Sequence, residues 1–129
     1  MKSQTGIVAL LMLTACTSSS PDFSGAGRET PQTVVARVAR TAQTCWFKNK
    51  DATFKPYRLA NEVNSFSGKP RFLIVPKNNP AGLPKLVVQA ERIGGRNVLS
   101  TFGPLLQTND GLRIEKSVRR WARGNSTCA

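Results

Sequence analysis

The side chains able to do chemistry are few and unevenly chosen. The chain has three cysteines, Cys16, Cys45 and Cys128, and no histidine among its 129 residues. Seven carboxylates, Asp22, Glu29, Asp51, Glu62, Glu91, Asp110 and Glu115, stand against nineteen lysines and arginines. Without histidine, neither a Ser/His nor a Cys/His arrangement can form, and the usual general base near neutral pH is missing. A paired-carboxylate hydrolase needs two acids held across a cleft. Glu62 and Glu91 could lie on neighbouring strands, but a solvated strand face is the better reading. Gly94-Gly95 lacks the GxxxxGK(S/T) surroundings of a phosphate loop. The chain therefore reads as a non-enzyme. With no histidine and few thiols, no transition-metal site and no cofactor are expected.

The remaining chemistry is charge. The formal net charge is +12 at pH 7, and a surface so basic attracts polyanions through its summed field and counterion release. The densest run of cations is Arg113, Lys116, Arg119, Arg120 and Arg123. It surrounds a narrow apolar stripe of Ile114, Val118 and Trp121 at i, i+4, i+7, the pattern of an amphipathic helix. That face is the candidate anion-binding site, against the alternative of a solvated helix face balanced in part by Glu115. Arg58, Lys69, Arg71, Arg92 and Arg96 form a second basic group in sequence.

The elements that must position these residues follow from period and punctuation. Thr30-Pro31 is a helix start, a capping hydroxyl followed by proline at the first helical position. The helix runs to about Phe47, with Val34, Val38, Ala42 and Cys45 on one stripe, widened by Val35, Ala39 and Trp46. Lys48 and Lys50 follow, where cations favour a helix C-terminus. DATFKPY at 51–57 turns the chain. Strands are expected at 57–63, 71–75, 85–93 and 96–102. Between them lie a turn at 67–70, a proline-rich loop at 76–84 and a two-residue hairpin at Gly94-Gly95. A second helix, capped by Asn109 or Asp110, runs to about Arg123. The expected fold class is α+β: helix, four-stranded antiparallel sheet, helix, with both helices on one face of the sheet.

The first residues decide where the chain goes. Met1-Lys2, the apolar run at 6–13 and the small residues before Cys16 follow the plan of a secretory signal peptide. The apolar run is about half the roughly 20 residues that a membrane-spanning helix needs. Leu13-Thr14-Ala15-Cys16 resembles the lipobox of bacterial lipoproteins. That resemblance implies diacylglycerol on the Cys16 thiol, cleavage before Cys16, and a further acyl chain, such as palmitate, on the new amino group. The covalent lipid would be the only added group. Two or three chains on one cysteine would make a stable anchor, where one chain binds marginally. In enterobacterial lipoproteins an Asp after the cysteine favours the inner membrane. Thr17 stands there instead, so the outer membrane is expected, with the periplasmic face of the inner membrane as alternative.

The expected organisation is a signal peptide at 1–15, a lipidated cysteine and flexible tether at 16–29, and one small domain at 30–129. Cleavage removes Lys2 alone among the charged residues, so +12 becomes +11. With Cys16 lipidated, Cys45 and Cys128 remain, and in an oxidising compartment a disulfide between them is expected; the alternative is two free thiols. Function is legible only as a class: a non-catalytic outer-membrane lipoprotein serving as a basic envelope interaction module. Its partners would be anionic lipid, lipopolysaccharide, another cell surface or an acidic envelope protein, and not nucleic acid. The alternatives are an assembly subunit of an envelope complex and, further off, an inhibitor or a wall-active enzyme.

Overall fold

The computed structural model describes residues 29–64 and 69–129. The expected signal peptide, Cys16, nearly all of the expected tether and the first half of the expected turn at 67–70 lie outside the described residues.

Helix α1, Pro31–Ala42, begins as its sequence dictates: Thr30 is the N-cap and its Oγ1 accepts from the Thr33 N–H at 3.2 Å. The helix does not continue in α form to Phe47. From Gln43 to Lys48 it widens into a π-helical stretch. Helices widen in this way where tertiary contacts override local geometry. Here both Cys45 and Trp46 are buried while Phe47 stays at the rim. The chain leaves through Lys50, whose φ is +56°. A short 3₁₀ turn, Ala52–Phe54, leads to the sheet.

The sheet is a four-stranded antiparallel meander in the order β1 (Tyr57–Glu62), β2 (Arg71–Pro76), β3 (Leu86–Ile93) and β4 (Arg96–Phe102). Gly94 and Gly95, both at positive φ, close β3 onto β4, the conformation a tight two-residue hairpin requires. A 3₁₀ turn, Pro104–Gln107, then feeds helix α2, Gly111–Ala122. Gly111 must be glycine, because a Cβ there would sit 1.9 Å from the Leu106 carbonyl oxygen.

Both helices lie on one face of the sheet, as the sequence pattern predicts. That face carries Phe72 and Ile74 of β2, Leu86, Val88 and Ala90 of β3, and Leu99 of β4. Val34, Val35, Val38, Ala39 and Ala42 of α1 and Ile114, Val118 and Trp121 of α2 close over them. Burying each large side chain contributes about 1.5–3 kcal/mol. The opposite face bears a row in register across all four strands, Ala60, Leu73, Val87 and Phe102.

Cys45 and Cys128 form the expected disulfide, with their Cα atoms 5.2 Å apart and a sequence separation of 83. Constraining so long a loop is worth roughly 4–5 kcal/mol in the chain-entropy model, and about 2–4 kcal/mol is typical of measured bridges. Reduction should therefore lower the unfolding free energy by about 2–4 kcal/mol, read as a shift of the urea midpoint with and without reductant. A midpoint that does not move would show that the tail contributes nothing to the fold.

Candidate functional site

The cations of α2 share a helix, but most are committed inside the molecule. Arg113 is held by two carboxylates, its Nη1 2.7 Å from Asp51 Oδ2 and its Nη2 3.1 Å from Asp110 Oδ1. Thr53 completes the group by donating to Asp110 Oδ2 at 2.8 Å, while its own N–H donates to Asp51 Oδ1 at 3.1 Å. Asp110 stands at the N-cap position, yet its side chain does not cap the helix. It is used to fasten the 51–54 turn to α2 instead. Arg119 pairs with Glu115 one turn earlier at 2.5 Å. Arg120 is only half exposed and faces the tail: its Nη2 donates to the Thr127 carbonyl at 3.2 Å. Trp121 Nε1 donates to the same carbonyl at 2.7 Å, so these two side chains seat the residue just before Cys128. Lys116 and Arg123 are exposed. Of the expected five-cation face, Arg113, Arg119 and Arg120 are thus drawn into structural ties.

The second basic group is spent in a similar way. Lys69 pairs with Glu91 at 3.2 Å and Arg71 with Glu62 at 2.5 Å. Arg92 donates to the Glu29 carbonyl at 2.7 Å, as does Asn97. Glu29, the last residue of the expected tether, also pairs through its carboxylate with Arg37. Arg96 is exposed at the hairpin and Arg58 on the edge strand β1. Glu62 and Glu91 do not lie on neighbouring strands, since β2 separates β1 from β3. Each has its own cation and they do not form an acid pair.

A different cluster emerges at the end of α1. Lys50, Lys55 and Lys77 rim a half-open groove of about 390 Å³. Its apolar lining is Trp46, Phe47, Ala52 and Phe54. Trp46 stacks on Phe54 at 4.2 Å between ring centroids and 9° between planes, and Phe47 meets Phe54 edge-on at 5.8 Å. Asp51 also lines the groove, but its carboxylate is taken by Arg113. Among the described residues none of the three lysines has a carboxylate at ion-pair distance. The sequence signal was the interleaving of Trp46, Phe47 and Phe54 with Lys48, Lys50 and Lys55, which reads as a helix end and a turn. Lys77 comes from the far end of β2, and only folding brings it in.

No protein-family model matches the chain, and no curated protein or solved structure shows significant similarity to it.

The Thr53 hydroxyl and the Arg113 guanidinium hold the Asp110 carboxyl below its ordinary value of 3.8, and Asp51 raises Arg113. A carboxyl depressed in the folded state adds stability above its unfolded pKa, and loses it as pH falls through the folded pKa. Asp110→Asn should therefore flatten the acid limb of a stability–pH curve below about pH 4 and leave its shape near neutrality unchanged. An acid limb as steep in the variant as in the parent would remove Asp110 from this account.

Proposed function

We propose that the protein is a non-catalytic lipoprotein of the bacterial outer membrane, anchored through lipid on Cys16, whose folded domain is a basic envelope interaction module. It contacts anionic lipid, lipopolysaccharide or another anionic surface of the envelope. The observation that carries this reading is the division of the cations. Arginines such as Arg37, Arg71, Arg113 and Arg119 are neutralised by nearby carboxylates. Lys50, Lys55 and Lys77 instead gather around one apolar groove. Unscreened cations of this kind set on-rate and salt dependence in binding to anions. Lys116 on α2 adds an exposed cation.

The assembly reading is favoured by a separate observation. Phe102 at 48% exposure ends the apolar row on the sheet face that carries neither helix. Binding through that row would survive high salt, whereas binding through the lysines would not.

The first check is the full chain expressed with its leader in a bacterial host. Cys16 should carry diacylglycerol by mass, and Cys16→Ser should free the protein from the membrane fraction. The purified lipoprotein should bind lipopolysaccharide and phosphatidylglycerol vesicles at low salt. Affinity should fall steeply as salt rises, and by about tenfold or more in Lys50→Gln/Lys55→Gln/Lys77→Gln, at roughly 1 kcal/mol per cation near an anionic surface. Binding that ignores both salt and the triple change would favour the sheet-face reading.

A further inference from the structure

We propose that the groove at the end of α1 is a receptor for an acidic segment of a partner envelope protein. One large apolar side chain of that segment would sit on Phe47, with its carboxylates against Lys50, Lys55 and Lys77. The inference rests on the reading above that the domain is a basic module held by a lipid on Cys16, and it names the partner's chemistry.

Three observations converge on it. The first is charge: among the described residues three lysines line the groove and Asp51 is its one carboxylate, already neutralised by Arg113 at 2.7 Å. A ligand of negative sign is therefore favoured. The second is the type of cation. Among the described residues the groove's cations are all lysine, a hydrated point charge on a flexible stem. Separate carboxylates spaced along a chain suit three such points. The third is shape. The groove is open along one side, and its volume of about 390 Å³ falls at the small end of ligand sites, which usually enclose most of their ligand. It has room for a side chain or two of a segment lying across it, and does not engulf an acyl chain.

Helix termination places one of these lysines. Lys50 occupies the left-handed region at φ +56° two residues after the π-helical stretch Gln43–Lys48. Its N–H donates to the Phe47 carbonyl at 3.0 Å and the Asp51 N–H to the Trp46 carbonyl at 3.2 Å, the pair of bonds that closes a helix C-terminus, so the stop itself sets Lys50 at the groove wall.

The test uses the full lipidated protein in detergent and a fluorescent twelve-residue peptide of alternating Asp and Glu with one central Phe, read by anisotropy. Three chain variants and one peptide variant decide it. Lys50→Gln/Lys55→Gln/Lys77→Gln should weaken binding about tenfold or more, and Lys116→Gln, outside the groove, should not change it. Replacing the peptide's Phe by Ser should weaken binding several-fold. Lys50→Asn should weaken binding while raising the unfolding midpoint by a few degrees, since asparagine tolerates the left-handed conformation. A residue with a purely structural role would not lower binding as stability rises.

Peptide binding that is absent, or equally sensitive to Lys116 and to the groove lysines, overturns the proposal. So does phosphatidylglycerol-vesicle binding through the three lysines with no peptide binding, which would make the groove a lipid-surface site and leave the basic-module reading standing. If neither vesicles, lipopolysaccharide nor peptide bind, the broader reading has failed as well.

Discussion

Trp46 is the side chain on which one pole of this molecule depends. It is 2% exposed, stacked against Phe54 and tilted against Trp121 at 5.1 Å between centroids. Those three rings come from the end of the first helix, the turn before the sheet and the last helix. Joining them fixes where each of those segments ends. The neighbouring Cys45 is bonded to Cys128, and Trp121 and Arg120 hold the Thr127 carbonyl beside that bridge. Aromatic pairs contribute about 0.5–1.5 kcal/mol beyond the area they bury. The larger consequence is positional. The helix gives up α geometry over its last six residues, Gln43–Lys48, the stretch in which Cys45 and Trp46 are buried. The widened turn then leaves Phe47 and Lys50 lining the groove.

The same pole explains how so basic a chain folds. Like charges repel, so an excess of cations destabilises a compact state. The few carboxylates are placed where they neutralise arginines that also make structural ties. Asp51 and Asp110 share Arg113 and thereby lock the 51–54 turn to α2. Glu29 engages Arg37, which also donates to the Ala122 carbonyl at 2.9 Å. Such exposed or half-exposed pairs are each worth little in free energy, but they determine which cations remain for outside partners. Lysine, with its flexible stem and compact charge, fills the groove rim. Arginine, with its fork of donors, does the internal tying.

Much of the fold was legible in the sequence. The four strands fall within a residue or two of where alternation and turn residues place them, because each is bounded by Pro, Gly or a charged run. Thr30-Pro31 marks the first helix start without ambiguity. The disulfide followed from two cysteines in a chain whose first residues read as an export signal. The π-helical stretch was not legible, since no local preference encodes it. Asp110 looked like a helix cap, and it sits at the cap position, but Thr53 and Arg113 compete for its oxygens and win. The candidate site was the least legible part. Helical spacing does put five cations on α2, but it cannot show that Asp51, 62 positions from Arg113, takes up one of them, or that Arg120 turns to the tail. Lys77 likewise reaches the groove only through the β1–β2 register that pairs Tyr57 with Pro76.

If the lysines at this pole, and not the arginines of α2, face the partner, contact will shield them from a soluble reagent. Lysine acylation of intact envelopes, compared site by site with the purified protein by mass spectrometry, measures that shielding. Lys50, Lys55 and Lys77 should be protected in the envelope at low salt and become reactive at high salt, while Lys116 on α2 should react alike in both. Equal reactivity of all four lysines in envelope and solution, or protection centred on Lys116, would contradict it.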